Sequence, residues 1–336
     1  MTDPLWPLDQ LFVTQEKLSE FRARCATGFE ALRRQMAIEE DLSSLLEAVY
    51  LPLAAWLDRR RTQQADTLVV GVSGPQGSGK STLAALLKLV LQTGFDRRIV
   101  AFSLDDLYKT RSEREAMAKA VHSLFATRGV PGTHDVELGI ETIKRLKRQK
   151  AGQSTTIPAF DKAIDDRLPK RAWPRVKGEL DLILFEGWCV GALPQPRDAL
   201  DVPVNALERS EDPDGAWRRS VNDALAGDYQ RLFALVDVLV YLRPESFARV
   251  FEWRRLQEHK LACSLEQRGA AGAGRVMSDV ALKRFIMHYE RLSRHMLDTM
   301  PQRADIVLSL NARQRPYAVR INKPLAPGQA PERRSP

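Results

Sequence analysis

Between residues 74 and 81 the chain reads Gly74-Pro75-Gln76-Gly77-Ser78-Gly79-Lys80-Ser81. Before it stands Thr67-Leu68-Val69-Val70-Gly71-Val72-Ser73, a short apolar run heavy in valine, and after it Thr82-Leu83-Ala84-Ala85-Leu86-Leu87 has a helical composition. Strand, glycine-rich turn and helix are the context that makes G-x-x-x-x-G-K-S a phosphate-binding loop. The glycines let backbone N–H groups converge on an anion, and the helix adds the positive end of its dipole. In such a loop Lys80 reaches the β- and γ-phosphates and the Ser81 hydroxyl ligates Mg²⁺. The expected nucleotide site is therefore Gly74 through Ser81 together with Thr82, and the expected cofactors are ATP and Mg²⁺.

Further apolar runs follow: 98–104, 180–185, 236–242, 304–310 and 317–321. Helical stretches separate most of them, among them 137–150, 216–234, 246–266 and 278–299. Strands apolar on both faces and alternating with helices predict an α/β fold, a mostly parallel sheet covered on both sides. Residues 1–65 form a helical N-terminal extension in this reading, with Leu32, Met36, Ile38, Leu42, Leu45, Leu46, Val49 and Leu53 at helical spacing. The unit built on the phosphate-binding loop spans 66–322, and the Pro-rich, charged stretch 323–336 is expected to be disordered. There is no internal repeat.

At 336 residues the chain can bury a large core without disulfides. Its three cysteines, Cys25, Cys189 and Cys263, are odd in number and form no CxxC pair. They read as reduced thiols, and with no signal-like N-terminus and no membrane-length apolar run they point to the cytoplasm. The net charge of +8 is spread among acids rather than gathered in an arm, so neither nucleic acid nor a membrane is expected as a partner. The oligomeric state is not legible.

Two acidic strand ends narrow the chemistry. Ser103-Leu104-Asp105-Asp106-Leu107-Tyr108 closes the second strand, and Leu182-Ile183-Leu184-Phe185-Glu186-Gly187-Trp188 closes the third. Ligands of open α/β sheets sit beyond the carboxyl ends of strands. A carboxylate there can orient an attacking hydroxyl and take its proton, which suits Asp105, while Asp106 can cap the following turn or touch substrate. Glu186 is placed to hold Mg²⁺ or touch substrate. The guanine-reading N-K-x-D motif and the L-S-G-G-Q transporter signature are both missing, which leaves a small-molecule kinase as the main reading.

These motifs resemble those of the phosphoribulokinase, uridine kinase and pantothenate kinase superfamily. Within it, Arg128-Gly129-Val130-Pro131-Gly132-Thr133-His134-Asp135, Phe160-Asp161-Lys162 and Glu186-Gly187-Trp188-Cys189-Val190-Gly191 are similar to segments of the D-glycerate 3-kinase family. The resemblance covers about residues 40–312. It implies a P-loop kinase fold that phosphorylates the 3-hydroxyl of D-glycerate with ATP and Mg²⁺, with Asp105 as candidate base and Glu186 as second acid. The chain departs after Lys162, where the family commonly has a serine- and glycine-rich stretch before Asp-Arg. Here it reads Ala163-Ile164-Asp165-Asp166-Arg167.

Glycerate is a small anion with two hydroxyls, so its site needs a cation and short polar groups. Tyr108, Arg128, His134, Asp135, Lys162 and Arg167 supply those types and, with Asp106, are the candidate substrate residues. Arg254 and Arg255, in a helix after the fourth strand, are candidate catalytic arginines of the lid that the superfamily carries there. Ser81, Glu186 and Asp105 are the candidate metal ligands, and how Asp105, Asp106 and Glu186 divide base and metal roles stays open. Two other readings stand beside this one. One is a kinase of another small acceptor, such as a nucleoside, pantothenate or a sugar phosphate. The other is an ATP-binding regulatory protein without an acceptor.

Overall fold

A computed structural model describes residues 5–36, 38, 42–267 and 277–326, with backbone alone at 260–267. The N-terminal segment folds as α1 (Gln15–Gln35), the short α2 (Ser43–Leu45) and α3 (Leu51–Thr62). The helical spacing read through Met36, Ile38 and Leu42 is therefore not one helix: α1 stops at Gln35. A π-turn, Leu46–Tyr50, joins α2 to α3 directly before Pro52. Proline lacks the N–H that an α-helical bond requires, and the wider turn accommodates its ring.

The phosphate loop lies between β1 (Leu68–Ser73) and α4 (Lys80–Phe95). Then come β2 (Ile99–Ser103), α5 (Arg111–Ala120) and α6 (Val136–Arg148). Two small antiparallel ladders follow, β3 (Ser154–Thr156) with β6 (Arg175–Lys177), and β4 (Phe160–Asp161) with β5 (Asp166–Arg167). Strand β7 (Leu182–Gly187) precedes α7 (Ala206–Glu211), α8 (Ala216–Ala226) and α9 (Asp228–Phe233). The helix expected over 216–234 is thus two, broken at Gly227, whose φ −94°, ψ −108° no helix accommodates. Strand β8 (Val238–Pro244), α10 (Phe247–Gln267), α11 (Asp279–Arg303), β9 (Ile306–Leu310) and β10 (Pro316–Ile321) complete the order.

The main sheet runs β10-β9-β8-β1-β7-β2. All pairs are parallel except β10 with β9, which is antiparallel. Residues of β1 alternate between two cores. Leu68, Val70 and Val72 join α1, α3 and α4, including Trp56, Leu57 and Leu87, whereas Val69 faces the core of α6, α9 and α11 with Ile143 and Met300. A strand buried on both faces reads as one apolar run, which is why β1 and β7 were conspicuous in the sequence. The N-terminal helices share their core with the sheet.

The expected disordered tail falls mostly on 327–336, outside the described residues. Its described start is tied down: the Leu325 amide donates to Gln10 Oε1 at 2.8 Å, and Lys323 Nζ lies 2.9 Å from Asp305.

Candidate active site

The phosphate loop is shaped by two glycines in left-handed conformations. Gly79, at φ 88°, caps α4, and Gly77, at φ 79°, lies against α10, where an added Cβ would sit 2.7 Å from Trp253 Cβ. Helix α4 begins at Lys80, so its first N–H groups have no helical acceptor and face the loop. Ser73 Oγ, Ser78 Oγ and Gln76 Oε1 are buried without a hydrogen-bond partner. The two unpaired buried hydroxyls can donate beside the loop amides and so fit an anion such as a polyphosphate, whereas Gln76 Oε1 can only accept. Lys80 Nζ donates to the Pro75 carbonyl at 3.0 Å, and burial lowers its pKa against the upward pull of Glu186 and Asp105.

At the tip of β7 Glu186 accepts a 2.8 Å hydrogen bond from the Ser81 hydroxyl. A hydroxyl and a carboxylate side by side, next to a phosphate loop, are the hard oxygen donors Mg²⁺ takes, with water and phosphate oxygens completing its shell. The described residues contain no cluster of three or more His, Cys, Asp or Glu suited to a metal.

Across the cleft, β2 ends in the turn Leu104–Leu107. Here the two aspartates part. Asp106 accepts from the Ser103 amide at 2.9 Å in a capping box, and is not among the cleft-lining residues. Burial, with Asp105 adding to it, raises its pKa to about 6. Asp105 points into the cleft, where Lys162 Nζ donates to it at 2.6 Å and the Tyr108 hydroxyl at 2.9 Å. Burial pushes its carboxyl up, but Lys162 and the hydrogen bonds outweigh this and bring it to about 2.

The block 128–135 divides in the same way. Arg128 lines the cleft, its guanidinium 5.5 Å from the Phe160 ring centre. His134 lies one layer behind, stacked on Tyr108 with ring centres 4.6 Å apart and bonded through Nδ1 to the Tyr229 hydroxyl at 2.5 Å. Burial lowers it to about 3, so it is neutral at physiological pH. Asp135 caps α6 and accepts from Arg167 at 3.1 Å, while Arg167 also donates twice to the Tyr108 carbonyl. His134, Asp135 and Arg167 therefore brace Tyr108 and are not among the cleft-lining residues.

The departing segment has its own device. Asp165 adopts φ 57°, a conformation that suits glycine but that aspartate tolerates. Its carboxylate accepts from Arg128 Nη1 and lies 2.9 Å from Arg114 Nη2. Sequence reading did not single out Asp165, because a non-glycine in a left-handed turn leaves no pattern.

On helix α10, Arg254 lines the cleft, 2.5 Å from Glu258, and its guanidinium lies 5.9 Å from the Phe285 ring centre. Arg255 is exposed and borders a separate outer hollow with Glu252 and His259, so the two arginines do not act on one space.

A second, more apolar hollow adjoins the loop on the other side. Ser78, Gly79 and Thr82 border it, with Leu45 and Tyr50 from the N-terminal segment, Leu308 from β9 and the turn Ala312–Pro316. Trp253 Nε1 donates to the Ala312 carbonyl at 2.8 Å, fastening α10 to that turn. This wall, too, was missed: its residues come from opposite ends of the chain and share no motif.

No family model matches the chain. It is 33% identical over 256 residues to an uncharacterized kinase of Schizosaccharomyces pombe, covering 73% of this chain and 87% of that protein. It is 30% identical to the chloroplastic D-glycerate 3-kinase of Arabidopsis thaliana, over 71% of this chain and 52% of that longer protein. Among solved structures, a D-glycerate 3-kinase of Cryptococcus neoformans superposes with a TM-score of 0.65 at 26% identity, covering 81% of this chain and 96% of that one. No helix among the described residues is long and apolar enough to cross a membrane.

Proposed function

The chain belongs to the D-glycerate 3-kinase family, within the phosphoribulokinase, uridine kinase and pantothenate kinase-like P-loop kinases, and on that footing we propose that it transfers the γ-phosphoryl of ATP to the 3-hydroxyl of D-glycerate. The observation that carries the reading is one cleft holding Lys80, Ser81 and Glu186 on one side and Asp105, Lys162 and Arg128 on the other. That is a phosphate loop facing a carboxylate flanked by cations, on the scale of a small hydroxy acid.

In this reading the ATP phosphates lie on Gly74–Thr82 and the adenosine in the apolar hollow beside Tyr50 and Ala312. Mg²⁺, held by Ser81 and Glu186, would neutralise phosphate charge. Arg128 takes the carboxylate of the acceptor. Asp105 orients the 3-hydroxyl and receives its proton as the bond to phosphorus forms. A depressed pKa suits that order, because a loose transition state asks for positioning more than for basicity. Lys80 and Arg254 stabilise the charge spreading over the transferred group. His134, Asp135, Arg167 and Asp106 hold Tyr108 and Asp105 in place and do not touch substrate. The proposed compartment is the cytoplasm, supported by Cys25 and Cys189, which are both free and buried.

Tyr108 argues against a nucleoside acceptor. Its ring is 4% exposed and packed on His134 and Phe160, so it is not free to stack a base. The deciding measurement is ADP release from Mg²⁺-ATP with D-glycerate, uridine, pantothenate or a pentose phosphate added. Stimulation by D-glycerate alone is expected. Stimulation by one of the others, or by none while ATP still binds, overturns the substrate assignment.

A further inference from the structure

The turn joining β4 to β5 reaches the acceptor side of the cleft at two points. Lys162 places its ammonium on Asp105, and Asp165 places its carboxylate on Arg128. The second contact is anchored from behind. Arg114, 2% exposed, donates to the Ala126 carbonyl at 2.8 Å and to the Asp165 carbonyl at 2.8 Å, and also meets the Asp165 carboxylate at 2.9 Å. One carboxylate is thus clamped between a buried arginine and a cleft-lining one. Arg128 spends a single N–H of its fork on this contact while its plane lies against Phe160.

We propose that Asp165 is a positioning residue for the acceptor: through the Arg114–Asp165–Arg128 chain it fixes the guanidinium so that one free edge faces the cleft. A fixed fork with one free edge matches the two oxygens of a monocarboxylate. It also carries less net charge than an unpaired arginine, which disfavours a phosphate dianion. This inference rests on the acceptor reading above and extends it, since it names what selects a carboxylate over a phosphorylated sugar. It also accounts for the departure in sequence, because an aspartate can hold the left-handed turn a glycine would hold and add the clamp.

The test compares Asp165→Asn and Asp165→Gly, both compatible with positive φ, with the unchanged protein. Removing the charge-assisted contact is expected to raise the D-glycerate KM about tenfold or more in Asp165→Gly, with a smaller rise in Asp165→Asn. The KM for ATP stays as it was and kcat moves little, as a split between binding and chemistry requires, while the melting temperature falls because buried Arg114 loses its charge partner. The second arm needs no acceptor. The rate of phenylglyoxal modification at Arg128, read by peptide mass spectrometry, rises in Asp165→Gly as the clamp is lost. If the unchanged protein shows no glycerate-dependent turnover, the functional reading fails and the modification rate alone judges the clamp. An unchanged glycerate KM in a turning-over Asp165→Gly protein, or an unchanged Arg128 modification rate, overturns the proposal. So does an ATP KM that rises in step with the glycerate KM, which would mark a general loosening of the site.

Discussion

The Ser81 hydroxyl donates to Glu186 Oε1 at 2.8 Å, joining the end of the phosphate loop to the tip of the neighbouring strand β7. The register that pairs Ser73 with Gly187 sets this contact, since it brings the exit of β1 level with the strand end carrying Glu186. Replacing Glu186 by Gln keeps shape and hydrogen bonding but removes the charge. Turnover is expected to fall about 10²-fold, the scale of losing one fixed electrostatic partner, and the Mg²⁺ concentration for half-maximal rate to rise. Chelation by EDTA should stop turnover and added Mg²⁺ restore it. Steady-state rates across a Mg²⁺ titration check both, and an unshifted Mg²⁺ curve in Glu186→Gln rejects the metal role.

Asp105 and Asp106 are adjacent but face different surroundings. Asp105→Asn should leave ATP binding intact and lower kcat about 10²-fold or more, the size of a positioned proton acceptor. ATP affinity by calorimetry and kcat by ADP release separate the two effects. Near-normal kcat would reject Asp105 as the group that handles the hydroxyl proton.

For Asp106 the expected effect is on stability. Its carboxyl is raised from 3.8 to about 6, so the folded chain holds this proton more tightly than the unfolded one. The resulting stabilisation is complete below pH 3.8 and is lost as pH rises through about 6. Asp106→Asn is neutral at every pH, and its side-chain oxygen still accepts from the Ser103 amide. The melting temperature of the variant relative to the unchanged protein should therefore climb between pH 4 and pH 7, by roughly 2 °C or more. A difference that does not vary with pH contradicts the raised value.

Gly77 meets Trp253 where the phosphate loop touches α10. A methyl group there collides with Trp253 Cβ at 2.7 Å and strains a backbone at φ 79°. Gly77→Ala is expected to weaken ATP binding about tenfold, the scale of one strained backbone position. Trp253→Phe, which keeps a ring but loses the bond to Ala312, should raise the KM for ATP more than that for the acceptor. Equal effects on both substrates would show that α10 is not fastened to the nucleotide side in particular.

Local signals were legible in the sequence and convergent ones were not. The loop 74–81 and the strands around it could be read because each lies within one short segment whose glycines or double-sided burial impose a pattern. Asp105 and Glu186 were legible as strand-end acids for the same reason. Asp106, His134, Asp135 and Arg167 share residue types with substrate ligands, and only three-dimensional placement shows Asp106 turned onto the Ser103 amide, Arg167 onto the Tyr108 carbonyl, His134 onto Tyr229 and Asp135 onto the Leu138 amide and Arg167. Asp165 and the hollow walled by Tyr50 and Ala312 have no motif, since their partners lie far off along the chain. The break at Gly227 went unread because the helix formers Ala224, Leu225 and Ala226 before it and Gln230, Arg231 and Leu232 after it carry a helical composition across the glycine.

Strand β1 ends in the phosphate loop, yet its neighbours on the two sides are β7 and β8, at residues 182–187 and 238–244. The carbonyl that fastens Trp253 comes later still, at Ala312. During synthesis the motif at 74–81 therefore emerges early but stays unsupported until almost all of the sheet has left the ribosome. A nascent chain carries the nucleotide signature long before it can hold a nucleotide, and until β8 arrives one apolar margin of β1 is open to chaperones.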